Sequence, residues 1–174
     1  MQKYRNKYRS SSLRLPNWDY RNTASYFITV CTHNRQHFFG EIISQRMELS
    51  PVGVIADNLW HEIKNHTNNV ELGAFVVMPD HIHGILILTG IDHDDEHATH
   101  LPTPNQFMSK ISPKRGSVSA IVRSYKSAVT RHVRRLGYDF EWQNRFYDHI
   151  IRDDKSFQKI SEYIVSNPAK WNEN

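Results

Sequence analysis

The sequence predicts an α+β fold, a ferredoxin-like antiparallel sheet with helices packed mainly on one face. Segments with strand and helix character follow one another as β, helix, β, β, helix, β, helix. The second and third of these strands are separated only by Pro79 and Asp80, a link so short that they must run antiparallel. Each helical segment carries a single apolar stripe, as a helix lying on a sheet should.

The first strand is read at Tyr26 to Thr32, YFITVCT, which is β-branched and aromatic. A short hairpin fits Phe38 to Ser50. Ser50 then caps a helix with Pro51 at its first position, and Val54, Ile55, Leu59 and Ile63 continue the stripe to about His66. Val70 to Met78 and His81 to Leu88 are the next two strands. Ser117 to Leu136 is a helix with Val122, Tyr125, Val129, Val133 and Leu136 inward and Gly137 as its stop. Phe140 to Arg152, FEWQNRFYDHIIR, is expected to form a fourth strand. The last helix is capped by Asp154 or Ser156 and reaches about Asn167, with Phe157, Ile160 and Ile164 buried.

At 174 residues the chain is read as a single domain over 1–174, with a basic N-terminal arm at 1–21 and a mobile insertion at 89–116. The arm holds six Lys/Arg against one acid, Asp19, and has no apolar core, so it is no secretory signal. The insertion mixes Asp92, Asp94, Asp95 and Glu96 with His93, His97 and His100. No apolar run approaches the ~18–20 residues of a membrane span. One cysteine, Cys31, excludes an intrachain disulfide and a cysteine-based zinc site, and a cytoplasmic location fits. The net charge of +4 suits a polyanionic partner. Between Ser109 and Tyr138 there are eight Lys/Arg and no acid, and Arg123, Lys126, Arg131 and Arg134 share the arc opposite the apolar stripe. A face of one sign fits a phosphate backbone.

His81 and His83 stand one residue apart inside AFVVMPDHIHGILIL, residues 74–88. In an extended strand both imidazoles face the same way, about 7 Å apart along the chain. They are half of a divalent-metal site, or two half-exposed strand histidines bonded to neighbours. Tyr163 and Asn167 lie one turn apart at the border of the last helix's apolar stripe. A hydroxyl, an amide oxygen and two imidazoles together would suit Mg2+ or Mn2+ acting on a phosphate, with tyrosine as nucleophile. Taken singly, each is an ordinary boundary or capping residue, and spacing does not show that they meet.

MPDHIHG resembles the signature of single-tyrosine HUH transposases, two histidines around a hydrophobic residue. WQNRFYDHIIRDDKSFQKISEYIVSNP resembles the C-terminal block of their REP-associated tyrosine transposase branch, in the insertion-sequence-200-like superfamily, and YFITVCTHNR fits that family's first strand. The likeness spans roughly 20–88 and 117–171. It implies an HUH endonuclease architecture and a metal-dependent single-stranded DNA endonuclease and strand transferase acting near hairpins or palindromes. His81 and His83 match the metal-binding histidines and Tyr163 the nucleophile, which would form a 5′-phosphotyrosine link and leave a free 3′-hydroxyl. Asn167 falls where the family places a third, polar ligand for Mg2+ or Mn2+. Asp80 is a partner that could orient a histidine. Arg152, in the matching block, belongs near DNA. Tyr125 is a second, lower-ranked nucleophile because it lies in an apolar stripe. Relatives include dimers and apparent monomers, so the assembly stays open.

Two other readings compete. A hairpin DNA- or RNA-binding module would keep the basic helix and make the histidines incidental. A histidine-based metallohydrolase would use the acidic insertion and leave no covalent intermediate.

Overall fold

The computed structural model describes residues 18–90 and 113–173, together with the backbone of two short N-terminal strands. Most of the arm and the 91–112 part of the insertion, with its acids and histidines, therefore lie outside the described residues. Strands β1 (Lys3–Tyr4) and β2 (Lys7–Tyr8) pair antiparallel within the arm.

Strand β3 (Ala24–Cys31) comes next, followed by the hairpin of β4 (Gly40–Ile43) and β5 (Arg46–Leu49). Ser44 and Gln45 turn that hairpin with φ of 48° and 64°, the left-handed conformations that a two-residue turn demands. Ser50 caps α1 (Pro51–His61) as expected: its hydroxyl accepts from the Gly53 N–H at 3.1 Å and donates to the Phe38 carbonyl at 2.6 Å. The helix breaks at Glu62, and the short α2 (Ile63–His66) completes the segment read as one helix. β6 (Val70–Met78) and β7 (His81–Leu88) form the tight pair. α3 (Val118–Arg135) is capped by Ser117 and stopped by Gly137, at φ 85°. β8 (Tyr147–Ile151) and α4 (Asp154–Ser166) end the domain.

Three sequence expectations need correction here. Leu136, placed on the inward stripe of its helix, is exposed, because the helix ends at Arg135 and Leu136 is its C-cap. Extended structure does not begin at Phe140, because residues 140–146 cross the end of the sheet instead of joining its ladder. Only Trp142 bridges to Thr32, and Arg145 at φ 69° interrupts the extended backbone. Phe140 is buried against Phe38 and Phe39, so the aromatic content that suggested a strand serves core packing. The cap of α4 is Asp153, one residue earlier than read. Its carboxylate accepts from the Ser156 N–H at 2.8 Å and from the Ser156 hydroxyl at 2.9 Å.

The sheet order is β6-β7-β3-β8, all antiparallel, which is the ferredoxin-like order. Alternation divides the strands between two cores. Tyr26, Ile28, Val30, Ile82, Leu86 and Ile150 face the larger core, shared with α1 and α3. Phe27, Val76, Ile85, Ile87 and Ile151 face the opposite side, where Phe157, Ile160 and Ile164 bring down α4. Among the described residues, helices thus cover mainly one face, and the helix carrying Tyr163 packs on the other. No described helix is long and apolar enough to cross a membrane.

Candidate active site

Even spacing along β7 puts His81, His83 and Ile85 on the α4 side of the sheet. Both imidazoles are buried. Their Nε2 atoms face each other at 3.0 Å, and each ring is held from behind. His81 Nδ1 lies 2.5 Å from Asp80 Oδ1, and His83 Nδ1 lies 2.8 Å from Thr29 Oγ1. The carboxylate of Asp80 can only accept, which places a proton on His81 Nδ1; in the neutral ring the lone pair is then on Nε2, which points at its neighbour. Arg35 Nε donates to the other oxygen of Asp80 at 2.9 Å. Burial pushes the Asp80 carboxyl up, but the hydrogen bond from His81 and the nearby charges of His81 and Arg35 win, holding it below its ordinary value. Burial, reinforced by His81 and Arg35, drives His83 down to about 3, so its imidazole is neutral near pH 7 and a donor through nitrogen.

This donor set fits a divalent cation. Two nitrogens about 2.1 Å from one ion and at right angles to each other lie about 3.0 Å apart. The oxygens of Asp80 point to His81 Nδ1 and Arg35, away from the space between the Nε2 atoms. Among the described residues, no three His, Cys, Asp or Glu side chains gather into one metal-binding group. A third protein donor must then be of another type.

The last helix supplies the remaining candidates. Tyr163 Oη comes within 3.5 Å of His83 Nε2, a long contact, and the two rings lie 5.4 Å apart. Phe27 packs between the elements, 5.2 Å from the His83 ring and 6.2 Å from Tyr163. Tyr163 keeps 48% of its surface. Asn167, one turn on, is only 8% exposed. Beyond it the chain turns through Pro168–Glu173 and lays Trp171 over His81 at 5.9 Å and over His37 at 5.8 Å. Asn167 therefore sits on the short stretch between the residue that touches His83 and the residue that touches His81.

The other tyrosine is placed differently. Tyr125 is enclosed in the larger core, and its hydroxyl donates to the Ala56 carbonyl at 2.9 Å. Burial pushes its pKa well above the ordinary value. The basic helix α3 lies on the far side of the sheet from the histidines, with Arg123, Arg131 and Arg134 exposed. Lys126 does not share that open arc: its ammonium donates to the carbonyls of Gln143 at 2.9 Å and Arg145 at 3.3 Å, beside the Trp142 ring. Arg152 is exposed at the end of β8, at the opposite end of the sheet from His81. Thr29, Arg35 and Trp171 were not singled out from sequence. Thr29 and His83 are 54 residues apart, and only strand register makes them neighbours.

No family model matches the chain. An uncharacterized protein of Haemophilus influenzae is 36% identical over 164 residues, 92% of this chain and 88% of that protein. A second protein of the same organism, named "Putative REP-associated tyrosine transposase", is 31% identical over 100 residues, 58% of this chain and 50% of that protein. Among solved structures, a REP-associated tyrosine transposase bound to a REP hairpin superposes with a TM-score of 0.60 at 21% identity, covering 91% of this chain and 74% of that one. That last likeness is one of fold.

Proposed function

We propose that the chain is a single-tyrosine HUH transposase of the REP-associated tyrosine transposase branch, a metal-dependent endonuclease and strand transferase for single-stranded DNA at hairpins; a 31% identical relative of that name and the fold shared with another support the reading. The carrying observation is the approach of Tyr163 Oη to His83 Nε2 at 3.5 Å, across 80 residues of sequence, beside a second imidazole whose Nε2 faces the same point.

In this reading Tyr163 Oη attacks the scissile phosphorus. Tyr163 gives up its hydroxyl proton as the Oη–P bond forms and the P–O3′ bond breaks, and the departing 3′-oxygen takes up a proton as a hydroxyl. The DNA 5′ end stays on Tyr163 as a phosphodiester, so attack by another 3′-hydroxyl rejoins strands without ATP. His81 and His83, with the amide oxygen of Asn167, would hold Mg2+ or Mn2+. Such a cation polarises the phosphate and offsets the charge that builds on it. Asp80 fixes the tautomer and orientation of His81, and Thr29 holds the orientation of the His83 ring. Phe27 sets the ring of Tyr163 against the histidines. Arg123, Arg131, Arg134 and Arg152 offer phosphate contacts outside the site, and Lys126 instead holds the 143–145 backbone.

The test is a covalent-adduct assay. Wild type, Tyr163→Phe and the His81→Ala/His83→Ala double variant are mixed with labelled single-stranded hairpins in Mg2+, Mn2+ or EDTA and run on denaturing gels. A band needing the metal, the tyrosine and the histidines supports the reading. Hairpin binding with no adduct in any metal points to the non-cutting module, and cleavage that survives in Tyr163→Phe points to the metallohydrolase.

A further inference from the structure

We propose that His37 is the general acid of strand transfer: its imidazole hands a proton to the 3′-oxygen that leaves when Tyr163 attacks, and takes one back from the 3′-hydroxyl that rejoins the strands. This rests on the strand-transferase reading and names the group that protonates its leaving oxygen. The juxtaposition behind it is a file of five rings across the catalytic face. Tyr163 lies 5.4 Å from His83, His83 4.5 Å from His81, His81 5.9 Å from Trp171 and Trp171 5.8 Å from His37. The nucleophile therefore stands at one end of the histidine pair, and His37 stands beyond the other.

In-line displacement puts the entering and leaving oxygens on opposite sides of phosphorus. With Tyr163 over His83 and the phosphate at the two Nε2 atoms, the departing 3′-oxygen lies toward His81, on the side of His37. His37 is exposed, so a strand lying across the histidines comes against it. The loop that carries it is tied at both ends to the turn before His81. The Thr32 N–H donates to the Asp80 carbonyl at 2.9 Å, and the Phe39 N–H donates to the Pro79 carbonyl at 3.0 Å. Between these ties Asn34 and Arg35 take φ of 51° and 57°, a left-handed backbone that costs most side chains energy. Strain that its surroundings hold in place clusters at functional sites. Burial raises the Asp80 carboxyl, and against it act His81, Arg35 and the charge of His37, so this imidazole is within electrostatic reach of the site.

The groups around it suit the task less. Arg35 holds Asp80, and a guanidinium does not give up its proton. His81 and His83 turn Nδ1 to Asp80 and Thr29 and Nε2 to each other. An imidazole can both give and take a proton near neutral pH, which a step run in both directions needs. In the forward step the Oη–P bond forms and the electron pair of the P–O3′ bond passes to oxygen. That oxygen takes the proton of the His37 imidazolium, directly or through one water, and neutral imidazole is left. The Tyr163 proton passes to water, from which His37 is recharged. Rejoining runs the same transfers backwards.

The test uses the full chain in Mn2+. The hairpin that wild type traps is resynthesised with sulfur in place of the bridging 3′-oxygen at the scissile linkage. A thiolate leaves without a proton, because thiols are much stronger acids than alcohols, so this substrate needs no general acid. On ordinary DNA, His37→Ala and His37→Asn should form adduct about 100-fold more slowly than wild type, the scale of one proton-transfer group. On the sulfur-bridged DNA both should react within about threefold of wild type. His33→Ala, at another exposed histidine of the same loop, should match wild type on both substrates. The assignment is overturned if the His37 variants cut ordinary DNA at the wild-type rate, or if they lose equally on both substrates, which marks a structural role. A loss rescued by sulfur in Lys170→Ala, with none in His37→Ala, moves the acid to the turn after α4. A wild type that traps no hairpin overturns the strand-transferase reading, and the acid with it.

Discussion

Nε2 of His81 and Nε2 of His83 face each other at 3.0 Å, and neither ring is free to turn away because Asp80 and Thr29 hold the opposite nitrogens. Two ring nitrogens at that distance need either a proton on one of them or a cation between them, and a cation can take the place of that proton. Mn2+ should therefore stabilise the folded chain. At a hundredfold excess over Kd the gain is about 2.7 kcal/mol. The His81→Ala/His83→Ala double variant should lose this gain and at least ~100-fold in adduct formation, no less than the top of the 10–100-fold range expected for an outer partner. Thermal melts with and without Mn2+ check the first part and denaturing gels the second. A wild-type melting point indifferent to Mn2+, with cleavage indifferent to EDTA, would sink the metal site.

The two candidate tyrosines should separate cleanly. Tyr163 is half exposed, so Tyr163→Phe should change stability by no more than ~0.5 kcal/mol while abolishing the adduct. Tyr125 is enclosed and donates to the Ala56 carbonyl. Tyr125→Phe should cost about 1 kcal/mol or somewhat more, because a buried acceptor loses its partner, and should keep the adduct. Melts and gels on both variants decide it. An adduct that follows Tyr125 would reverse the assignment.

Asp80 links Arg35 to His81, and its removal should act through the imidazole. Asp80→Ala frees the His81 ring to rotate and to exchange tautomers. Metal affinity should then fall 10–100-fold, as it does when an outer partner of a ligating histidine is lost. Arg35→Ala leaves the Asp80–His81 contact in place and should cost less. Mn2+ titration by calorimetry measures both. Equal affinity in Asp80→Ala and wild type would reduce Asp80 to a turn residue.

Much of the architecture was legible because it rests on local periodicity. The two-residue period of β7, the cap at Ser50 and the stop at Gly137 each follow from short-range physics. The fourth strand was misjudged because residues 140–146 have a strand's composition. That composition instead plugs the end of the core, where Phe140 meets Phe38 and Phe39, and composition alone does not distinguish ladder from plug. The site divided along the same line. His81 and His83 announce themselves by spacing, and Tyr163 and Asn167 by the helix face they share. Thr29, Arg35 and Trp171 reach the site through register and through the turn after α4, which no window of sequence contains. Lys126 misled because a helical arc shows where a side chain starts and not the carbonyls it reaches.

Gly84 gives the sharpest test of the packing that supports the histidines. It follows His83 on β7 and faces the larger core, where the α1 residue Trp60 lies directly against it. A Cβ at this position would fall 2.3 Å from Trp60 Cζ2 and 2.8 Å from Cη2. The indole has nowhere to go. It is fully buried, stacked on Phe75 at 4.7 Å and edge-on to Tyr125 at 5.4 Å. Gly84→Ala must therefore lift α1 or displace β7. Overpacking of this kind costs about 1–3 kcal/mol, near the upper end where the neighbour is rigid. For a chain of this length that lowers Tm by roughly 4–10 °C. Trp60→Phe would remove the ring atoms that clash. The double variant should then lose less stability than the two single changes sum to, a coupling that distant sites do not show. Melts of the four proteins complete the cycle. A Gly84→Ala chain that melts with wild type, or two costs that simply add, would show that the close approach of α1 to β7 is not what requires glycine here.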